Sequence, residues 1–222
     1  MTYLEHCHYR SVDGVVIACV NFYDPQVVEL VNSDVPVVTI DHVFNNRMAV
    51  LSDNVAGLKA LVKQAWACGH RRIAFIHGEK TSVTENRIAG FYQACEELGL
   101  EIPEEYVRDG VYHDVERCAE ETRAQRPTCI IFPDDFSALG GYNALAEAGL
   151  SIPDDISVMG YDGIYLSRVV NPSLVTYQQN TAALGQTAAD KLIELIEHPR
   201  VTLPEQIRVS GRLLSGRSVR SL

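Results

Sequence analysis

Hydrophobic positions along this chain fall into two alternating kinds of run. Short β-branched stretches (Val12–Cys19, Val35–Ile40, Arg72–Ile76, Thr128–Phe132 and Ile156–Gly160) are each followed by a longer segment of helical period. In 54–68 the apolar residues Leu58, Leu61, Val62, Ala65 and Trp66 recur at the spacing of one helix face. Ser52 or Asp53 can cap that helix at its start, and Gly69 is placed to end it. Strand–helix alternation of this kind predicts an α/β fold, with parallel sheets covered by helices on both faces.

One internal echo repeats a connection. Leu98-Gly99-Leu100-Glu101-Ile102-Pro103 returns as Ala148-Gly149-Leu150-Ser151-Ile152-Pro153. Both read as helix exits, in which glycine takes the left-handed cap, an apolar residue folds back and proline blocks continuation. The alternation breaks near the end. Residues 172–179 lead into a helix over about 181–197, and strands follow Leu203, a pattern expected of a chain crossing between two lobes.

Composition narrows the partners. The 222 residues are 46% hydrophobic and 22% charged, ordinary globular material. A formal net charge of -10 repels phosphate backbones, so these residues are not expected to bind nucleic acid themselves. No apolar run approaches the ~20 residues that span a bilayer. The first eight residues lack the basic-then-apolar pattern of a secretion signal. Six cysteines occur without a CxxC pair and read as free thiols of a reducing compartment, so a cytoplasmic location is expected. His6-Cys7-His8 cannot direct three adjacent side chains at one ion, and no metal or cofactor is expected.

In open parallel sheets, ligands bind beyond the carboxyl ends of the strands. Polar residues at those positions are Asp41, Asp134, Asp135 and Asp162, with Arg87 after the loop that follows Ile76-His77-Gly78, and Tyr112. Carboxylates that accept from adjacent hydroxyls, a guanidinium fork and an aromatic ring suit a polyhydroxylated ligand. Acids at strand ends also cap the next helix, and capping is the favoured reading of Asp135, directly ahead of Phe136. Enzymatic signatures are missing. His77-Gly78-Glu79-Lys80-Thr81 departs from a phosphate loop, and neither GxGxxG nor GxSxG appears where it would act, so no catalytic residue is assigned.

The ordered motifs resemble the LacI/GalR family of bacterial transcription regulators. Val12-Asp13-Gly14-Val15-Val16, Ser52–Gly57 with Gly69–Ile76, Asn86–Phe91, Asp135–Gly140, Ile152–Asp162 and Pro172–Thr176 with Gln179 follow that family's order and spacing from about Ser11 to Gln186. The resemblance implies a periplasmic-binding-protein-like fold of type I, with two Rossmann-like lobes, three crossovers and a small sugar-like effector held between them. It divides the chain into an N-terminal lobe of 1–52 plus 180–202 and a C-terminal lobe of 53–179 plus 203–222. It names Asp41, Arg87, Tyr112, Asp134, Asp162 and Gln179 as effector-binding residues, and Leu139, Leu166, Val169 and Val170 as candidates for a homodimer interface, with core packing the alternative reading and an equal one for Val169 and Val170. Operator DNA would be bound through an N-terminal helix-turn-helix head, which these residues do not contain. The first lobe is expected to be incomplete, lacking its opening strands. Two residues depart from the family pattern: Asp134, where Asn is frequent, and Gly163, where a second acid is usual. A sugar-binding transport protein of the same fold is the alternative reading.

Overall fold

The computed structural model describes residues 1–79, 81–110 and 126–222. The chain divides into two compact units, Met1–Asp53 with Asn180–Val209 and Asn54–Gln179 with Ser210–Leu222.

Unit 1 is built on four strands, β1 (Val15–Ile17), β2 (Val37–Ile40), β3 (Met48–Ser52) and β9 (Gln206–Val209), in the order β1-β2-β3-β9. All three pairings are parallel. Alternate residues of β2 feed opposite faces. Val37 joins Cys7, Ile17, Val27, Leu30, Val31 and Val35 on the side of helices α1 (Tyr3–Arg10) and α2 (Pro25–Asn32). Val38 joins Met48, Val50, Leu184 and Ala188 on the side of helix α7 (Thr181–Glu197). The β-branched run of β2, in which Thr39 is buried with its hydroxyl donating to the His42 carbonyl at 2.6 Å, is therefore that of a strand covered on both faces. Helix α1 has no counterpart among the periodic segments read from the sequence. Its signal is a capping box in which Glu5 N–H donates to the Thr2 hydroxyl at 3.2 Å and Thr2 N–H donates to Glu5 at 2.8 Å.

Unit 2 carries six strands in the order β10-β8-β7-β6-β4-β5. These are β4 (Ile73–His77), β5 (Val107–Asp109), β6 (Cys129–Ile131), β7 (Ser157–Asp162), β8 (Val175–Gln178) and β10 (Arg212–Leu214). Only the β10–β8 pairing is antiparallel among these described strands. Helices α3 (Asn54–Ala67) and α4 (Ser82–Glu97) cover one face through Leu58, Leu61, Val62, Phe91 and Ala94. Helix α5 (Asp135–Glu147) covers the other through Ala138, Tyr142 and Leu145. The repeated helix exits form as the sequence predicts. Gly99 and Gly149 take φ of +63° and +72°, and Leu100 and Leu150 fold back, each donating at 2.8 Å to the carbonyl five residues earlier.

One expected boundary moves. Residues 203–209 group with unit 1 rather than with the C-terminal lobe, because β9 pairs with β3 from Ala49–Gln206 to Ser52–Val209. The C-terminal segment beyond β10 then closes unit 2. Ser218 is buried, donating its hydroxyl to Val158 O at 2.6 Å and accepting from Val175 N–H at 2.8 Å. His70, read from the sequence as a turn residue, is fully buried and bridges Thr128 Oγ1 at 2.9 Å and Arg220 O at 3.1 Å. Burial lowers its pKa.

Candidate functional site

Strands β8, β7, β6 and β4 are neighbours in unit 2, so the loops leaving their carboxyl ends stand side by side. Arg87 reaches this rim from helix α4. Only 9% of the residue is exposed, and a buried guanidinium needs partners for its donors. It has them on four sides. Nε donates to Asn54 Oδ1 at 2.9 Å at the start of α3, and Nη1 donates to the carbonyl of Pro133 beyond β6. Nη2 lies 3.6 Å from Asp162 Oδ1 at the end of β7. Its carbon Cζ sits 3.7 Å above the Tyr161 ring, whose π face attracts the cation. Asp162 also accepts from Gln179 Nε2 at 2.6 Å. Arg87, Asp162 and Gln179 thus form one polar group, each restrained by the others.

The two acids after β6 have separate tasks. Asp134, not Asp135, caps helix α5: its carboxylate accepts from Ser137 N–H at 2.7 Å and from the Ser137 hydroxyl at 3.1 Å. Asp135 is fully buried and accepts from the Thr176 hydroxyl at 2.6 Å and from Ile164 N–H at 2.8 Å. Burial pushes its pKa up to about 6, against the pull of those hydrogen bonds. Capping, the favoured sequence reading of Asp135, therefore belongs to its neighbour. Gly163, the second departure from the resembled family, is closely packed in this backbone. Its φ is +69°, and an added Cβ would lie 2.4 Å from the Gln178 side chain.

Asp41 stands at the carboxyl end of β2 in unit 1, with φ of +61°, and accepts from Ser52 N–H at 2.6 Å. Beside it is an aromatic group the sequence reading did not find. His42 stacks on Phe22 (centroids 4.4 Å apart, planes 6° apart), with Phe44 and Tyr23 against it edge-on at 4.6 and 5.8 Å. Burial lowers the His42 pKa. Asn54 and Tyr161 were also missed. Asn54 offered the weak signal of an amide in a helix's first turn, and Tyr161 offered none, since it reads as ordinary core. Tyr112 lies outside the described residues.

The candidate interface residues divide by exposure. Leu166 and Val169, on helix α6 (Leu166–Val169), are 42% and 56% exposed, whereas Val170 packs partly buried on the core beneath α5. Leu139 is half-buried, and Phe136 and Tyr165 add exposed rings of 65% and 76%. Among the described residues, no group of three His, Cys, Asp or Glu could hold a metal ion, and no helix is long and apolar enough to cross a membrane.

Comparison with known proteins agrees with the α/β fold. The periplasmic binding protein-like domain family matches residues 62–219. The HTH-type transcriptional repressor PurR of Haemophilus influenzae is 32% identical over 230 residues, covering 99% of this chain and 68% of the repressor. The ribose operon repressor of the same species is also 32% identical, over 88% of this chain and 61% of its own length. Among solved structures, a LacI family transcriptional regulator from Enterococcus faecalis with bound ribose superposes with a TM-score of 0.83 at 28% identity, covering 99% of this chain and 82% of that one. The chain belongs to the periplasmic binding protein-like family, within the branch formed by the LacI-type transcription repressors.

Proposed function

We propose that this chain senses a small sugar-like effector, with Arg87, Asp162 and Gln179 as the recognition set of unit 2. The observation that carries the reading is the buried Arg87, held by Asn54, the Pro133 carbonyl and the Tyr161 ring and directed at Asp162. A restrained guanidinium beside a carboxylate and an amide offers donors and acceptors to neighbouring hydroxyls without ordering cost on binding. Asp134 can accept a further hydroxyl while capping α5, and Asp41 of unit 1 and Tyr112 are proposed contacts on the family resemblance. Bound ribose in the Enterococcus faecalis regulator supports a pentose-class ligand here.

The chain acts by binding and not by catalysis, in the cytoplasm, where free thiols such as Cys95 and Cys129 persist. It is the sensing part of a homodimer joined in part through Leu139, Leu166, Val169 and Val170. The effector favours one conformational state, and operator binding by a separate head domain follows that population. Relatives named as repressors support regulation over transport.

Calorimetry and thermal shift with D-ribose test the reading. The melting temperature should rise with the logarithm of ribose concentration. Arg87→Lys, which keeps the charge but loses the fork, should weaken binding roughly 10- to 100-fold, as expected when charge-assisted bonds are lost. Unaltered affinity in a folded Arg87→Lys variant would remove Arg87 from the site.

A further inference from the structure

We propose that Asp135 is a positioning residue that ties the effector-side carboxylate of Asp162 to helix α6 through a single turn. The inference rests on the reading of Arg87 and Asp162 as an effector site, and adds how occupancy there reaches a distant surface.

Strand β7 ends on Asp162 with φ of +103°, a left-handed conformation costly for a non-glycine residue, and Gly163 continues it at +69°. Something must hold such a turn in place. Asp135 does so from the opposite element. Its Oδ2 accepts from Ile164 N–H at 2.8 Å, and Oδ1 accepts from the Thr176 hydroxyl of β8 at 2.6 Å. The carboxyl fits closely against β7, where a Cβ at Gly160 would lie 2.3 Å from Asp135 Oδ1. The side chain therefore locks the backbone immediately after Asp162 to both α5 and β8.

The same turn leads into α6. The Ile164 carbonyl accepts from the Ser167 hydroxyl at 2.7 Å and from Ser167 N–H at 3.1 Å, and Ser167 O accepts from Leu174 N–H at 2.8 Å. Ser167 is 1% exposed, while Leu166 and Val169 on either side point exposed apolar groups outward. A change in the Asp162 carboxylate as it exchanges partners with a ligand thus passes through one peptide held by Asp135 to the exposed face of α6. Acceptor geometry and not charge is what the role needs. Burial, with the nearby Asp162 adding to it, already pushes the Asp135 pKa up, and a neutral group with the same shape can take the Ile164 amide bond while Thr176 turns its hydroxyl to accept.

Hydrogen exchange of the full chain, read on segment 163–170 with and without D-ribose, tests the tie. Without ligand, Asp135→Ala should speed exchange there about tenfold, the expected result of losing a buried acceptor. Asp135→Asn, which keeps an amide oxygen facing Ile164, should stay within about threefold of wild type. D-ribose should slow exchange of 163–170 in wild type and in Asp135→Asn, but leave it unaltered in Asp135→Ala. Unchanged exchange in ligand-free Asp135→Ala, or an Asn variant as damaged as Ala, overturns the proposal. Should Asp135→Ala fail to fold, Thr176→Val removes only the Oδ1 donor and is read the same way. If wild type binds no D-ribose, the pentose reading fails, while the ligand-free comparison still decides the tie.

Discussion

At the scale of single residues, two adjacent acids show how environment decides role. Asp134 and Asp135 share a side chain and a place at the end of β6, yet one caps a helix and the other is sealed between α5, β7 and β8. The sealed one has a pH signature. Its folded pKa of about 6 stands above the ordinary 3.8, so the proton is held more tightly in the folded state. The stabilisation from that proton is complete below the unfolded value and is lost as pH rises through about 6. At ~1.4 kcal/mol per pH unit, the span is worth roughly 3 kcal/mol at most. Urea unfolding of wild type and Asp135→Asn, compared from pH 4.5 to 7, should therefore show wild type gaining relative to the variant as pH falls. A pH-independent difference would mean that Asp135 does not titrate in that window. The sequence could announce an acid at this strand end, but not which of two neighbours faces inward. That choice depends on Thr176 and Ile164, some thirty to forty residues downstream.

At the scale of elements, the strands that read clearly are those buried on both faces, because an unbroken apolar run leaves little ambiguity. β9 and β10 are short, and about half their side chains are exposed, so their pattern cannot say which sheet they join; pairing with β3 settles β9. Helix α1 was missed because its mean character is polar, although its capping box was present in the text. Close approach of elements is likewise invisible in one dimension. Helices α3 and α4 meet where Gly90 faces Val55, and a Cβ at Gly90 would lie 2.5 Å from the Val55 carbonyl oxygen. Gly149, by contrast, is glycine for its φ of +72° alone, with no atom within 4 Å of an added Cβ. Gly149→Ala should cost about 1 kcal/mol through the left-handed backbone. Gly90→Ala should cost about 1–3 kcal/mol by forcing two helices apart. Equal losses in denaturant unfolding would mean that the α3–α4 contact is more yielding than its geometry implies.

At the scale of the molecule, a monomer has little reason to expose apolar side chains next to one another in sequence when the flanking residues are buried. Around α6, Ser167 is sealed and Val170 packs on the core, yet Tyr165, Leu166 and Val169 are turned outward, and Phe136 at the start of α5 is exposed as well. The turn held by Asp135 joins the two elements. Such a surface fits self-association, where a two-fold axis lets one patch cover its own copy. Replacing Leu166 and Val169 with Asp should then separate the dimer without harming the fold, since both side chains are already 42% and 56% exposed. Val170→Asp is the contrasting case: it should lower the melting temperature, because it sends a charge toward the core beneath α5. Sedimentation velocity alongside thermal melts separates the two effects. A wild-type chain that sediments as a monomer at every concentration, or a Leu166→Asp/Val169→Asp variant that remains dimeric, would move the subunit contact away from α6. It would also leave the Asp162-to-α6 tie without a partner surface to act on.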